Sequence, residues 1–348
     1  MQTTLDKFLM IEKKRRSVFY VDWTAPQPCA QWLTNVPERI DFSATVKWRE
    51  ASGMNLTVCC RHADDHKPFD FTSVSDASSL KFSERHLFLI KSHLQKCIRR
   101  LLTVKAIETA FVFAQLDLSG LVRRLSVIMI EDVALDASMT VLSWLVAALS
   151  KGYLMSQPQI EWLLGVTRWL SDYPASDRRS RDSPDALEPV KMIKAVDDAT
   201  SVSNANKDVL YSLLFRASYG GLKCDTKMFY DYAAIWLHRF IQGRELDRRE
   251  IVSCLIHSGS VKNLNVSDIE LSSIDYHCYI QIIKHIKQKH PECSDAEIRR
   301  TIWHCSSKIN LRYPEGNAMT SIVWKAIGAD VIQFQKDIVQ SLMKSLNA

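Results

Sequence analysis

Between residues 254 and 305 the chain gathers Cys254, His257, His277, Cys278, His285, His290, Cys293, His304 and Cys305. Thiolates and imidazoles are the usual ligands of tetrahedral zinc. Cys254-x-x-His257 has ligand-like spacing, and Cys293 or His277 is available to complete a set. There is no second pair at two-residue spacing, and the adjacent pairs His277-Cys278 and His304-Cys305 diverge around a helix. The expectation is scattered core thiols and surface imidazoles, with no metal and no cofactor assigned. Asp275 precedes His277 by two residues, a spacing that suits a structural hydrogen bond better than a catalytic dyad. The stretch RASYGGLKCD sets Arg216, Tyr219, Gly220, Gly221, Lys223 and Asp225 close together. Such glycines beside cations either form an anion-binding turn or end one helix and begin the next; the second is the expectation. The sequence contains no GxSxG elbow, no HExxH and no GxxxxGK[ST] loop, so nucleophilic, zinc-peptidase and P-loop chemistries have no local signature. No catalytic residue is assigned. A non-enzymatic protein is expected, with catalysis left open.

Two further groups of residues suit binding. The formal net charge is +6, but it is unevenly spread. Lys81, Arg85, Lys91, Lys96, Arg99, Arg100 and Lys105 face only Glu84 within residues 81–105. A local cationic surplus of this kind fits an anionic partner. Arg85, Lys96, Arg99 and Arg100 fall on one helical face and are expected to contact DNA phosphates without base readout. Trp48, Arg49, Arg61 and His62 are expected to add a stacking surface.

The opening residues, MQTTLDKFLMIEKKRR, set Gln2, Leu5, Phe8 and Leu9 at the spacing Q-x-x-(aliphatic)-x-x-(aromatic)-(aromatic). This resembles the PIP-box, the peptide by which replication and repair proteins dock on the sliding clamp PCNA. One tight turn would gather Leu5, Phe8 and Leu9 into an apolar plug and leave Gln2 for a polar pocket. The family usually has Phe or Tyr where this chain has Leu9. Lys13, Lys14, Arg15 and Arg16 follow, suited to acidic clamp surface, to DNA phosphate or to nuclear import.

A weaker resemblance covers residues 92–135, similar to the collar helices of RarA/WRNIP-type AAA+ proteins, relatives of clamp loaders. Lys96, Arg99, Arg123, Arg124, Leu125, Glu131 and Asp132 stand in matching order. It implies at most a helical replication-type module without the ATPase. The alternative is a helical hairpin in which these arginines pair with Glu131 and Asp132.

The elements that must carry these residues follow from periodicity. With 348 residues and 47% hydrophobic composition, one or two domains with a real core are expected. No apolar run is long enough to span a bilayer. Asp6 and Glu12 argue against a targeting peptide, and nine cysteines with no CxxC point to a reducing compartment. Residues 17–80 are expected to form a β-rich subdomain, with strands in SVFYVDW, RIDFSATVKWRE and MNLTVCCRHA and a hairpin turn at Ala51-Ser-Gly53. From residue 82 the period becomes helical, with Leu87, Ile90, Leu94, Cys97, Ile98 and Leu101 in one stripe and Ser83 as cap. Further helices are expected at 104–116, 119–131, 137–151, 157–171, 191–198, 205–217, 225–242, 246–257, 276–289 and 319–345. Another begins at Ser294, with Glu297 completing a capping box.

The expected organisation is a tail (1–16), the β-rich subdomain (17–80), a helical domain (81–171), a linker (172–190) and a second helical domain (191–348). The fold class is mainly α, a multi-helix bundle with a small N-terminal β-rich subdomain. The functional expectation is a nuclear, PCNA-associated factor of DNA replication or repair, contacting DNA or other replication proteins and no membrane. Two alternatives are open. One is a clamp-recruited nucleic-acid-processing enzyme with its site in residues 216–305; the other is a helical scaffold whose N-terminal match is accidental.

Overall fold

The computed structural model describes residues 16–48, 51, 53–73, 82–177, 188–219, 221, 223–256, 261–313 and 322–347. Among them are ten α-helices and one four-stranded sheet, so the chain is mainly helical with a small N-terminal β part. No described helix is long and apolar enough to cross a membrane.

The chain divides into two compact units, each assembled from three stretches. Among the described residues the first comprises those within 16–66, 136–154 and 188–249; the second comprises those within 67–135, 155–177 and 250–347. The consecutive domains expected from the sequence are therefore replaced by interleaved ones. Composition changes along a chain cannot reveal which distant helices share a core.

In the first unit the sheet has the order β2-β1-β4-β3. Its strands are β1 (Val18–Asp22), β2 (Ala30–Leu33), β3 (Phe42–Trp48) and β4 (Met54–Arg61). β3 and β4 form the expected antiparallel hairpin, closed by Gly53 at φ +71°. β1 runs parallel to β4 and antiparallel to β2. The helices of this unit are α3 (Met139–Leu149), α5 (Pro189–Asp198), α6 (Asn204–Ser218) and α7 (Lys223–Ile241). The strands pack through aromatic rings. Phe19 stacks on Trp32 with centroids 4.3 Å apart, and both meet Phe215 of α6. The Trp144 indole N–H of α3 reaches the carbonyls of Phe19 and Cys59, each at 3.1 Å, and so ties the helix to the two central strands. Trp48 is buried in this core, which removes it from the expected stacking surface.

The second unit holds α1 (Leu87–Arg99), α2 (Thr103–Asp132), α4 (Gln157–Asp172), α8 (Gln281–Lys289), α9 (Asp295–Ile302) and α10 (Ile322–Asn347). α2 contains the break anticipated between two helices. Asp117 leaves helical geometry, and its carboxylate accepts the Gly120 N–H at 2.7 Å, capping the second half. Of the helix expected over 246–257, residues 246–255 are not helical. Residues 250–256 run instead as an irregular strap over α4. Cys254 N–H donates to the Glu161 carbonyl at 3.0 Å, and Ile256 N–H to the Glu161 side chain at 3.0 Å. Ile251, Cys254 and Ile256 are buried, so their apolar spacing marks the strap's inner side. Ser294 and Glu297 form the expected capping box of α9. A π-helical turn, Trp303–Ser307, continues α9.

Candidate functional site

Gln2, Leu5, Phe8 and Leu9, expected from the sequence to bind a clamp, and the cations Lys13, Lys14 and Arg15 lie outside the described residues. Arg16 is described, and it is already engaged within the first unit. Its guanidinium donates to Asp208 at 2.8 Å and Asn204 at 2.6 Å and lies 5.6 Å from the Tyr211 ring centroid. It also lines a cavity of about 340 Å³ together with Met54, Ile193 and Tyr211. Burial raises the Asp208 carboxyl to about 6, while Arg16 and the Trp32 N–H oppose that rise. Arg16 is therefore engaged by its own chain, which corrects its assignment to a basic run that meets clamp surface or DNA.

The basic face expected on α1 is likewise corrected. Arg85 is exposed, on the turn that leads into the helix. Arg100 is half-buried, donates to the Ser306 carbonyl at 2.8 Å and faces Glu270 at 3.8 Å. Lys96 and Arg99 are each only 4% exposed. A charge so deep survives only when paired and hydrogen-bonded, and both are. Lys96 Nζ donates to Asp275 and to Ser92, each at 2.9 Å. Asp275 also accepts from Ser307 Oγ at 2.8 Å, and from the N–H and Nδ1 of His277 at 2.9 and 3.0 Å. Arg99 donates to Asp132 at 2.6 Å, to Glu131 at 3.3 Å and to the Ser307 carbonyl at 3.1 Å. Gln95 completes the group by donating to Asp132 at 2.8 Å.

These pairs set the titration of their members. Burial pushes the Asp275 carboxyl upward, but the hydrogen bond from His277 and the charge of Lys96 outweigh it and hold the group below the ordinary carboxylate range. Burial pulls the Lys96 ammonium down, against the attraction of Asp275. Burial also opposes the charge on Arg99, yet Asp132 and Glu131 raise it overall. The result is a charge-balanced interior that ties α1 to α2 and to the segment around residues 270–310.

Arg312 closes the same interior. It is 8% exposed and donates to the carbonyls of Ile98, Leu170 and Tyr173 at 2.7, 2.5 and 2.7 Å. Sequence reading missed it, because a lone arginine after an irregular stretch carries no periodic signal.

The remaining candidates are dispersed. Cys254 is buried on the inner side of the strap, Cys293 lies in the isoleucine core of α8–α10, and His290 binds Asp330 at 2.9 Å. His257 lies outside the described residues. Among the described residues no group of three His, Cys, Asp or Glu side chains is placed to hold a metal. Arg216 is 2% exposed and sits 4.8 Å from the Phe229 ring centroid, so this part of RASYGGLKCD faces the core. Gly220 lies outside the described residues.

The molecule thus presents an ion-paired interior and an engaged Arg16, while the N-terminal motif lies outside the described residues. No protein-family model, curated protein or solved structure matches the chain.

Proposed function

We propose that this protein is a PCNA-associated, non-enzymatic factor of nuclear DNA replication or repair, held on the sliding clamp by its N-terminal peptide. The observation that carries the reading is the spacing of Gln2, Leu5, Phe8 and Leu9, close ahead of a residue that fastens the chain to its own body. Arg16, seven positions after Leu9, is ion-paired to Asp208. Lys13, Lys14 and Arg15 lie between motif and anchor, where they suit acidic clamp surface or neighbouring phosphate.

Clamp docking needs only a short apolar plug and its polar partner. Burying a large apolar side chain contributes about 1.5–3 kcal/mol, so three such side chains support useful affinity from a few residues. The resemblance of residues 92–135 to clamp-loader-like collars adds weak support of the same kind. The test is competition. A synthetic peptide of residues 1–16 should displace the full chain from PCNA in a fluorescence-anisotropy titration. A peptide that leaves a bound chain in place, or a chain that does not bind at all, would remove the reading.

A further inference from the structure

The segment from Ile298 to Pro314 contains no acidic residue, yet holds Arg299, Arg300, His304, Lys308 and Arg312. Arg312 is consumed in the interior by backbone carbonyls. Arg299 lies 5.4 Å from the Tyr276 ring centroid. Arg300, His304 and Lys308 remain, about one helical turn apart along α9 and the π-turn that continues it. Arg300 is exposed, and His304 and Lys308 are half-buried.

His304 lies between the two cations and feels both. Burial lowers the His304 imidazole, and the charges of Lys308 and Arg300 lower it further. Its Nδ1 is buried without a hydrogen-bond partner. Glu297 senses Arg300, but its carboxylate is taken by Ser294 in the capping box. Among the described residues neither Arg300 nor Lys308 has an ion-pair partner. Both cations are therefore available to an anionic partner.

The elements present this row in a way that suits nucleic acid. α8, a five-residue connection at 290–294 and α9 pack with α10 over a core of Ile282, Ile283, Ile286, Ile298, Ile302 and Ile327. Two short helices joined by a tight connection and backed by a third is the layout in which a second helix is offered to duplex DNA. Asp295 and Glu297 at the start of α9 oppose entry of that end among the bases. Contact therefore falls to the cationic second half and its continuation, as phosphate binding without sequence readout.

We infer that Arg300 and Lys308, on either side of His304, form a phosphate-binding ridge for duplex DNA. The choice of DNA as the anion rests on the proposed clamp role, while the ridge itself rests on its charge geometry. It takes over the DNA contact that α1, with Lys96 and Arg99 buried, does not offer.

The test uses the full chain and a labelled 20-base-pair duplex, titrated over a range of salt concentrations. Arg300→Glu with Lys308→Glu should weaken binding at least tenfold. It should also reduce the slope of log K against log salt by about two units, because two phosphate contacts are lost. Arg300→Gln with Lys308→Gln, which adds no repulsion, should give the same loss of slope. Circular dichroism melting must show both variants folded; the Gln pair serves if the Glu pair is not. Unchanged affinity and slope in a folded variant would overturn the ridge, as would a parent chain that fails to bind the duplex at low salt. Binding to PCNA is measured on the same samples. Lost DNA binding with intact clamp binding isolates the ridge; the reverse pattern in a Leu5→Ala, Phe8→Ala variant isolates the clamp peptide.

Discussion

Lys96 and Asp275 meet at 2.9 Å in a site where the lysine side chain is 5% exposed and the aspartate 0%. Removing one partner strands the other charge, which costs about 3–5 kcal/mol. Asp275→Ala is therefore expected to lower unfolding stability by that amount in urea titration, far more than the change of an exposed carboxylate such as Asp64. The two acid-sensitive groups here act in the same direction. Asp275 is held below its ordinary value, so its stabilisation is present above about pH 4 and is lost as the pH falls below that. His93, fully buried between Thr109 and Cys97, is lowered to about 3, chiefly by burial and then by Lys105. The unfolded chain takes up that proton near pH 6.5 while the folded one refuses it. Stability should therefore fall by about 1.4 kcal/mol per pH unit from 6.5 toward 3 on account of His93. His93→Asn should flatten urea-measured stability between pH 5 and 6.5; an unchanged slope would contradict the assignment. From sequence, residue type was legible and residue environment was not. Lys96 and Arg99 have the spacing of a solvated basic face, and only their distant partners Asp275 and Asp132, brought in by the fold, explain why they lie inside.

At the scale of elements, local signals were faithful wherever local chemistry decides the outcome. The capping box at Ser294, the Gly53 hairpin and the break in α2 at Asp117 each depend on neighbours within a few residues. β2 was missed because four residues, Ala30–Leu33, give too short an alternation; Trp32 is recognisable as core only through Asp208 and Ser212 of α6. The strap over 250–256 was misread as helix because Ile251 and Cys254 are three apart, a helical interval, though what sets them inward is contact with α4. The decisive residue is Gly165. A Cβ there would lie 2.6 Å from the Val252 carbonyl and 3.1 Å from Ile251 Cγ2, against backbone that cannot give way cheaply. Gly165→Ala is expected to destabilise by about 1–3 kcal/mol, as overpacking does, despite the higher helix propensity of alanine. Thermal melting of the variant checks this, and an increase in stability would show that the strap is not closely seated.

At the scale of the whole molecule, the helical class and the β-rich start were legible, because periods of 3.6 and 2 are written in the sequence. The interleaving of the chain through two units was not, since it is a matter of which surfaces meet. The functional clue lies at the opposite extreme: a short motif at residues 2–9 that needs no fold to be recognised. It leads directly to Arg16, whose bonds to Asp208 and Asn204 begin the described body. Under the proposed clamp role, the peptide would recruit and the body would engage what lies near. The most direct test is the affinity of the full chain for purified PCNA before and after Leu5→Ala with Phe8→Ala, measured by isothermal titration calorimetry. Thermal melting of both proteins on the same samples assigns the loss to the peptide when the melting temperature is unchanged. The loss of two large apolar contacts, each worth about 1.5 kcal/mol or more, predicts a fall in affinity of at least about 100-fold. Equal binding by the two proteins, or no binding by the parent, would contradict the account.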